Sequence, residues 1–363
     1  MRALMPLKSQ ILVILLLSSC SEQPLTIDVV SSGAQSPPVQ FVAFGDSGSG
    51  LPAQLAVGRA MVEVCAARSC DFAVMLGDNF YPSGVSSADD PQFFSKFEQP
   101  YQALKIPFFV ALGNHDNGGA GDQNQLGDHE VEYAHKADRP SQKWHMPARY
   151  YRFTAPLGSD MPLVEFFALD STPVAPFRED SREAWKPQAY GAAEFAWLRD
   201  ALADSRARWK IVFAHHPYIS NGGHGSAGRY LSLTRTADSA FADGALWKRL
   251  LEENVCSAGV DLMLQGHDHD MEWLKPTPAC GKTQFITSGA GGAELTPFFG
   301  FREPTYWQRE NHYGFFWISI QDSVMTVAAY TLDDELRLPH DDDGRPAFAF
   351  EQTMSQLPAA GNR

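Results

Sequence analysis

The sequence predicts an α/β domain in which several strands run parallel, and two observations lead to this prediction. Short apolar runs alternate along the chain with longer segments, several of which have the periodicity of amphipathic helices. Of the 363 residues, 44% are hydrophobic and only 20% are charged, which suffices for a large core. Regular alternation of strands and helices is typical of a sheet whose strands are joined by helical crossovers.

The predicted elements begin near Val39. Six apolar runs predict buried strands at Val39–Phe44, Phe72–Leu76, Phe108–Leu112, Leu163–Leu169, Lys210–Ala214 and Leu262–Gln265. Helical periodicity lies between them at Leu51–Arg68, Pro91–Leu104, Ala192–Ser205 and Ala245–Ser257. A hairpin of Tyr313–Gln321 and Val324–Thr331 is expected to turn at Asp322 and Ser323. We place the globular domain at residues 40–335 and a loosely packed, polar C-terminal tail at residues 336–363.

The N-terminus has the pattern of an export signal. Residues 1–8 carry two basic side chains, an apolar stretch follows at residues 11–17, and Leu-Ser-Ser precedes Cys20. A membrane-spanning helix needs about 20 apolar residues, so this stretch is too short to be one. The Leu-Ser-Ser-Cys ending resembles the bacterial lipoprotein box, in which the cysteine becomes the lipidated first residue of the mature protein.

This resemblance implies a protein anchored in the bacterial cell envelope by acyl chains on Cys20. Residues 1–19 are then the signal peptide, and residues 20–39, which are rich in Ser, Pro and Gln, are a flexible tether. Ser21, in place of an aspartate, favours the outer membrane in that class of protein. An ordinary signal peptide cut near a cysteine is the alternative.

The mature chain is acidic. Without residues 1–19, 27 basic residues face 43 acidic ones, a formal charge of −16. A surface of this sign repels nucleic acid, so we expect no nucleic-acid partner.

Four cysteines follow Cys20, and an exported protein meets an oxidising compartment. Three pairings are open, and we favour Cys65 with Cys70 and Cys256 with Cys280 because each pair is close in sequence. Metal binding by these thiols is not expected, since the chain has no CxxC pair.

Five predicted strands are followed at once by side chains of metal-ligand type. The motifs are Gly45-Asp46-Ser47-Gly48, Gly77-Asp78-Asn79-Phe80-Tyr81, Gly113-Asn114-His115-Asp116, His215-His216-Pro217 and Gly266-His267-Asp268-His269. Each alone has an ordinary explanation as a turn, a helix cap or a core histidine. Because ligands bind at the carboxyl ends of strands in α/β sheets, we expect all five to converge. Oxygen and imidazole donors in this number predict two metal ions that share one carboxylate.

The motif set GDxG, GDxxY, GNH[DE], VxxH and GHxH, in this order, resembles the purple acid phosphatases of the metallophosphoesterase superfamily. The tartrate-resistant acid phosphatase type is the most similar, and the resemblance covers roughly Gln40 to Leu332. It implies a single-domain, four-layer α/β/β/α sandwich. It also implies an acid phosphatase that hydrolyses phosphate monoesters through attack by a metal-bound hydroxide.

The same resemblance implies a role for each site residue. It assigns Fe(III) to site one, formed by Asp46, Asp78, Tyr81 and His269. It assigns Fe(II), Zn or Mn to site two, formed by Asp78, Asn114, His215 and His267. Asp78 therefore bridges, and the tyrosine phenolate binds the ferric ion. The implied proton donors are His115 and His224, and the glycine-rich loop that carries His224 is a candidate for closing over substrate.

Three further carboxylates, Asp116, Asp170 and Asp268, are candidates for orienting the ligands by hydrogen bonds. His216, directly after a predicted ligand, is expected to be structural.

Two other functions remain open on the same residues. One is a phosphodiesterase or nucleotide hydrolase, because the ligands do not encode the leaving group. The other is a surface lipoprotein that binds metal without catalysis. The expected partners are small-molecule or protein phosphate esters, with membrane contact through lipidated Cys20 only.

Overall fold

The computed structural model describes residues 37–119, 123–175, 182–230, 243–296 and 302–356, all within one structural unit. Its strands are β1 Val39–Phe44, β2 Phe72–Leu76, β3 Phe108–Ala111, β4 Trp144–His145, β5 Tyr151–Ala155, β6 Val164–Ala168, β7 Trp209–Phe213, β8 Leu262–Gln265, β9 Met271–Leu274, β10 Gln284–Ser288, β11 Thr305–Arg309, β12 Gly314–Gln321, β13 Val324–Thr331 and β14 Phe350–Ser355. Its α-helices are α1 Pro52–Arg68, α2 Gly127–His135, α3 Pro187–Asp204 and α4 Ala245–Leu251. The predicted signal peptide and nearly all of the predicted tether lie outside the described residues.

The strands form two mixed sheets of seven strands each. The first has the order β14-β13-β12-β1-β2-β3-β4, with β1 to β4 parallel and the other three antiparallel. The second has the order β11-β9-β10-β8-β7-β6-β5, with β6, β7, β8 and β10 parallel. All five strands that precede the predicted ligand motifs therefore lie in the parallel parts of the two sheets.

The two sheets pack face to face through aromatic side chains. Phe41 and Phe72 of the first sheet contact Phe166 of the second, with ring centroids 5.2 and 5.3 Å apart. Successive strand residues point to opposite faces, so the neighbouring Phe167 packs outward in a cluster with α3 and α4. Helix α1 covers the outer face of the first sheet and contacts β12. These layers confirm the predicted four-layer α/β/β/α sandwich.

Most elements with continuous apolar runs were predicted within a residue or two of their bounds. Strands β1, β2 and β8 and the hairpin of β12 and β13 are confirmed. The hairpin turns at Asp322 and Ser323 with Gln321 paired to Val324, and Asp322 adopts the left-handed φ of 51° that such a turn needs.

The helix predicted at Pro91–Leu104 is confirmed only in part, because the helical segment is much shorter. Helical backbone is limited to a short segment whose regular part, Phe94–Glu98, is of π type, and Pro100 has no amide hydrogen with which to continue it. The helix predicted at Ala245–Ser257 ends at Leu251 and continues as a wider π-type turn through Cys256.

The prediction of a loosely packed C-terminal tail is wrong for residues 350–355. Residues Phe350–Ser355 form β14, which pairs antiparallel with β13 at the edge of the first sheet. Phe350 and Met354 are separated by an even number of positions, so they share one face of the strand, and both pack on the hydrophobic core. Burial of these two side chains gives the strand its place in the sheet.

Both favoured disulfides, Cys65–Cys70 and Cys256–Cys280, are present. The first links the end of α1 to the segment that enters β2, and the second links the turn after α4 to the segment that enters β10. In the part of the chain that the structure describes, no helix is long and apolar enough to cross a membrane.

Candidate metal centre

The predicted ligands meet where the carboxyl ends of the two sheets face each other. Asp46, Asp78 and Asn114 follow β1, β2 and β3 of the first sheet. His215 follows β7 of the second sheet, and His267 follows β8. The ligand motifs thus converge as expected, although from two sheets and not along one sheet edge.

The side chains predicted for site one surround one point. The phenol oxygen of Tyr81 lies 3.1 Å from Oδ1 of Asp46, 3.0 Å from Oδ2 of Asp78 and 3.0 Å from Nε2 of His269. Ligand atoms of Asp46, Asp78 and His269 all lie within 4.8 Å of one another. Two carboxylates, a phenol and an imidazole at these distances can hold a metal ion.

The side chains predicted for site two lie on the other side of Asp78. Nε2 of His215 lies 3.4 Å from Oδ2 of Asp78, 3.1 Å from Oδ1 of Asn114 and 3.2 Å from Nδ1 of His267. The Asn114 amide nitrogen donates to the carbonyl of Gly119 at 2.8 Å, which turns its oxygen towards the imidazoles. Asp78 is therefore within reach of both sets, as a bridging carboxylate must be.

Backbone carbonyls orient two of the imidazoles. Nδ1 of His215 lies 2.9 Å from the carbonyl oxygen of Leu76, and Nδ1 of His269 contacts the carbonyl oxygen of Glu294. A carbonyl can only accept, so Nδ1 keeps its proton, and Nε2, which faces the centre, is the nitrogen that gives up its proton when a metal binds. This is the usual arrangement around metal-binding histidines.

The loops that carry the ligands have unusual backbone geometry. Asp46, Asp78 and His267 adopt left-handed φ values of 54°, 53° and 71°, which are uncommon for residues other than glycine and concentrate at functional sites. The amide of His267 donates to Asp46 at 2.9 Å. A side chain at Gly113 would place its Cβ 2.2 Å from Oδ1 of Asp78, so the close approach of these two loops requires glycine.

Electrostatics show that this pocket attracts positive charge. Burial alone would raise the pKa of Asp78, but the neighbouring imidazoles of His215 and His115 hold it below its usual value. Burial alone would lower the pKa of His215, but Asp78 and Asp46 raise it to about 9. Likewise the pKa of His269 rises to about 9 despite burial, mainly through Asp46. Without metal, buried imidazolium groups thus supply the cationic charge that the two carboxylates require.

At Tyr81, burial and the neighbouring charges shift the pKa in the same direction. Burial and the negative charges of Asp46 and Asp78 raise its pKa well above the usual value for tyrosine. The metal-free side chain therefore stays a neutral phenol, and only a strong cation can ionise it.

The two predicted proton donors lie at the rim of the centre. The ring of His115 packs 4.2 Å from the ring of Tyr81, its Nε2 lies 4.0 Å from Asp78, and its Nδ1 lies 2.6 Å from the carbonyl of Pro82. The ring of His224 packs 4.4 Å from the ring of His267. One donor is thus beside each predicted metal site.

Two of the three predicted orienting carboxylates contact the ligand loops directly. Asp116 accepts hydrogen bonds from the amides of Asn79, Phe80 and Gly113, which ties the loop of Asp78 to the loop of Asn114. Asp268 accepts the amide hydrogen of His224 at 2.6 Å.

The third predicted carboxylate, Asp170, reaches a ligand loop only through other side chains. Asp170 lies 2.7 Å from Nε of Arg149, whose guanidinium also donates to Asn117 at 3.0 Å. Asn117 in turn donates to the carbonyl of Gly113.

Sequence reasoning missed the residues that hold the loop of His224. The Ser220 hydroxyl lies 2.5 Å from Asp268 and 2.7 Å from Glu272, and the amide of Asn221 donates to Glu272 at 3.0 Å. The alternation of Asp268, Asp270 and Glu272 with the two histidines was visible in the sequence. Residues 267–270 form bends before β9 begins, so this alternation alone does not show which way the carboxylates point.

Sequence reasoning also set His216 aside as structural. The structure brings its imidazole together with His215 and His267, with one ring nitrogen of each within 4.8 Å of the others. Burial, followed by the charge of His215, lowers its pKa well below the usual value for histidine, so this imidazole is neutral.

The chain matches the family model described as calcineurin-like phosphoesterase over residues 39–271. It is 31% identical over 266 residues to "Purple acid phosphatase 17" of Arabidopsis thaliana, which covers 70% of this chain and 68% of that protein. It is 28% identical over 272 residues to "Tartrate-resistant acid phosphatase type 5" of Mus musculus, covering 71% of this chain and 74% of the relative.

Among solved structures, the fold is similar to that of GAP50, described as the anchor in the inner membrane complex of Plasmodium. The TM-score is 0.66, with 17% identity, over 90% of this chain and 91% of the other. At this identity the likeness concerns the fold alone.

Proposed function

Because the chain belongs to the calcineurin-like phosphoesterases and, within them, to the purple acid phosphatases, we propose that it is a two-metal acid phosphatase acting on phosphate monoesters. The observation that carries the proposal is the phenol of Tyr81, which lies within 3.1 Å of Asp46, Asp78 and His269. Carboxylate and imidazole ligands suit many hydrolytic metal pairs, whereas a phenol among them favours a trivalent ion.

The donor set fits two ions of different charge. Asp46, Asp78, Tyr81 and His269 would hold Fe(III), and Asp78, Asn114, His215 and His267 would hold Fe(II), Zn or Mn. With Tyr81 ionised, three anionic ligands offset three of the five positive charges, so the centre stays positive towards a phosphate group. When bound, the ions polarise the ester and supply a nucleophile at acid pH.

The protein's own groups then handle the leaving group. With Nδ1 of His115 directed at the Pro82 carbonyl, an imidazolium carries its second proton on Nε2, the nitrogen nearer the centre. At the other site, the backbone amide of His224 donates a hydrogen bond to Asp268, which holds this histidine in place. Either imidazolium can give its proton to the departing alkoxide.

The proposal is tested on the purified, metal-loaded protein by metal analysis, a visible spectrum and parallel assays of phosphate monoesters and diesters. We expect two metals per chain including iron, a broad charge-transfer band, and faster hydrolysis of monoesters. Faster hydrolysis of diesters or nucleotides would favour the alternative hydrolase. A protein that holds two metals but is inert on all esters would favour a metal-binding surface lipoprotein.

We propose further that the protein is exported and anchored by a lipidated Cys20 in the bacterial cell envelope, at the outer membrane. Support comes from the charged, apolar and small-residue pattern of residues 1–20, and from two disulfides of the kind that oxidising compartments allow. Mass spectrometry of membrane fractions should find a diacylated or triacylated Cys20, and Cys20→Ser should release the protein. A soluble, unmodified wild-type protein would refute the anchor.

A further inference from the structure

His216 is a buried imidazole that the proposed reaction does not use. Its side chain has no exposed surface, and its Nε2 has no hydrogen-bond partner among the described residues. Buried polar atoms are almost always hydrogen-bonded, so an exception calls for an explanation such as a missing ion.

The ring that carries this nitrogen lies beside the ligands of site two. The ring of His216 lies 4.5 Å from the ring of His267 and 4.9 Å from the ring of His215, centroid to centroid. One nitrogen of each imidazole lies within 4.8 Å of the other two. Two nitrogens bound to one zinc ion stand roughly 3 to 4 Å apart, because each Zn–N bond is about 2.0–2.1 Å. Modest inward movement of the rings would bring all three to one ion.

The opposite nitrogen of His216 is anchored like those of two predicted ligands. Its Nδ1 lies 2.7 Å from Oγ of Ser171. In the same way, Nδ1 of His215 is 2.9 Å from the carbonyl oxygen of Leu76, and Nδ1 of His269 contacts a carbonyl oxygen. In all three, an oxygen engages Nδ1 and leaves Nε2 for the centre.

We propose that Nε2 of His216 is a further ligand of the metal ion in site two, in addition to the four predicted there. This inference rests on the proposed two-metal centre and deepens it. The geometry of the chain permits it because β7 ends at Phe213, and the chain then turns, so that the rings of His215 and His216 stand at 89°. On a continuing strand these neighbours would point to opposite faces.

The added ligand decides between the metals considered for this site. Three imidazoles favour Zn or Fe(II), whereas Mn prefers a mainly oxygen environment. Site two should therefore select Zn or Fe(II) over Mn.

A second arrangement of protons competes with this one. Oγ of Ser171 also accepts the backbone amide of His216 at 3.1 Å. If the Ser171 hydroxyl donates to Nδ1, the ring proton moves to Nε2, which then cannot bind a metal. The experiment must therefore locate the metal directly.

The deciding measurement is a crystal structure of the wild-type protein loaded with iron and zinc, with anomalous data at the zinc edge. We expect a zinc ion about 2.1 Å from Nε2 of His216. A distance above about 3 Å from both ions overturns the proposal whatever any variant does. A wild-type protein that binds fewer than two metal ions when loaded with iron and zinc contradicts the proposed two-metal function, and this inference with it.

The zinc affinity of variants gives a second test. In competition with a chelator, iron-loaded His216→Gln should bind zinc at least about tenfold more weakly than iron-loaded wild type, while its iron content stays that of wild type. The same substitution at His129, which contacts Glu132 on α2, is the matched control and should change neither. A folded His216→Gln protein that binds zinc as tightly as wild type would also overturn the proposal. If that variant does not fold, the wild-type structure still decides.

Discussion

The phenol oxygen of Tyr81 lies 3.0 Å from Oδ2 of Asp78, the carboxylate that stands between the two predicted metal sites. Because burial and the carboxylates raise the pKa of Tyr81, the side chain is a neutral donor until a cation displaces its proton. The colour of the metal-loaded protein should therefore depend on this one residue.

Tyr81→Phe tests that dependence. The substitution keeps the ring that packs on His115 but removes the oxygen, so the charge-transfer band should disappear while site two still binds its metal. A visible spectrum and metal analysis check both outcomes. Tyr133→Phe, at a phenol that donates to Glu98 away from the centre, should leave the band unchanged. An unaltered band in the Tyr81 variant would remove the phenolate from the assignment.

Asp78→Asn should remove metal and activity together. Each set of ligands loses its shared anion, and the amide cannot offset the charge of two cations. Metal analysis should show loss at both sites, and hydrolysis of an aryl phosphate should fall on the order of a thousandfold or more. Asp71→Asn is the matched control, since that exposed carboxylate accepts the amide of Gln40 on the outside of the sheet. Wild-type metal content in the Asp78 variant would disprove the bridge.

Local signals explain why much of the fold and site could be predicted. Strands β1, β2 and β8 are short apolar runs, each followed by a glycine and then by a ligand. In the first sheet that position brings Asp46 and Asp78 to one edge, and the packing of the second sheet against the first brings His267 to the same place. The favoured disulfide pairing is also confirmed, because each bond joins two cysteines that are close in sequence.

Long-range packing explains what could not be predicted. No local feature of Phe350 or Met354 specifies pairing of β14 with β13, which depends on the apolar surface that the sheet offers there. The closeness of His216 to His267 depends on how the chain turns after β7, and the contact of Glu272 with Ser220 joins residues 52 positions apart. Side-chain contacts of this kind are set by tertiary structure and leave little trace in local sequence patterns.

His224→Ala should distinguish substrates by their leaving groups. Alkoxides need a proton as they depart, whereas aryl oxides leave readily without one. We expect kcat/KM for an alkyl phosphate to fall by about 10²–10⁴ and that for an aryl phosphate to fall much less. His129→Ala should change neither value. Equal losses on both substrates would show that His224 acts in binding and not as the acid.

Glu272→Gln should change how stability depends on pH. Burial raises the pKa of Glu272 to about 7, with a further contribution from Asp268, although hydrogen bonds from Ser220 and Asn221 oppose the shift. The folded protein therefore binds this proton more tightly than the unfolded chain does. The resulting stabilisation is complete below the ordinary pKa of glutamate, about 4.3, and is lost as the pH rises through about 7.

The amide introduced by Glu272→Gln cannot ionise, so the free energy of unfolding of the variant does not fall for this reason as the pH rises through about 7. The free energy of unfolding of the variant minus that of the wild type should increase between pH 5 and pH 8 by roughly 1–3 kcal/mol. Urea unfolding of the metal-free proteins measures the difference without the pH dependence of metal binding. Glu253→Gln, at an exposed carboxylate, is the matched control and should show no such trend. A difference that stays constant or shrinks with pH would mean that Glu272 is ionised throughout, and that its contacts with the loop of His224 are those of a carboxylate.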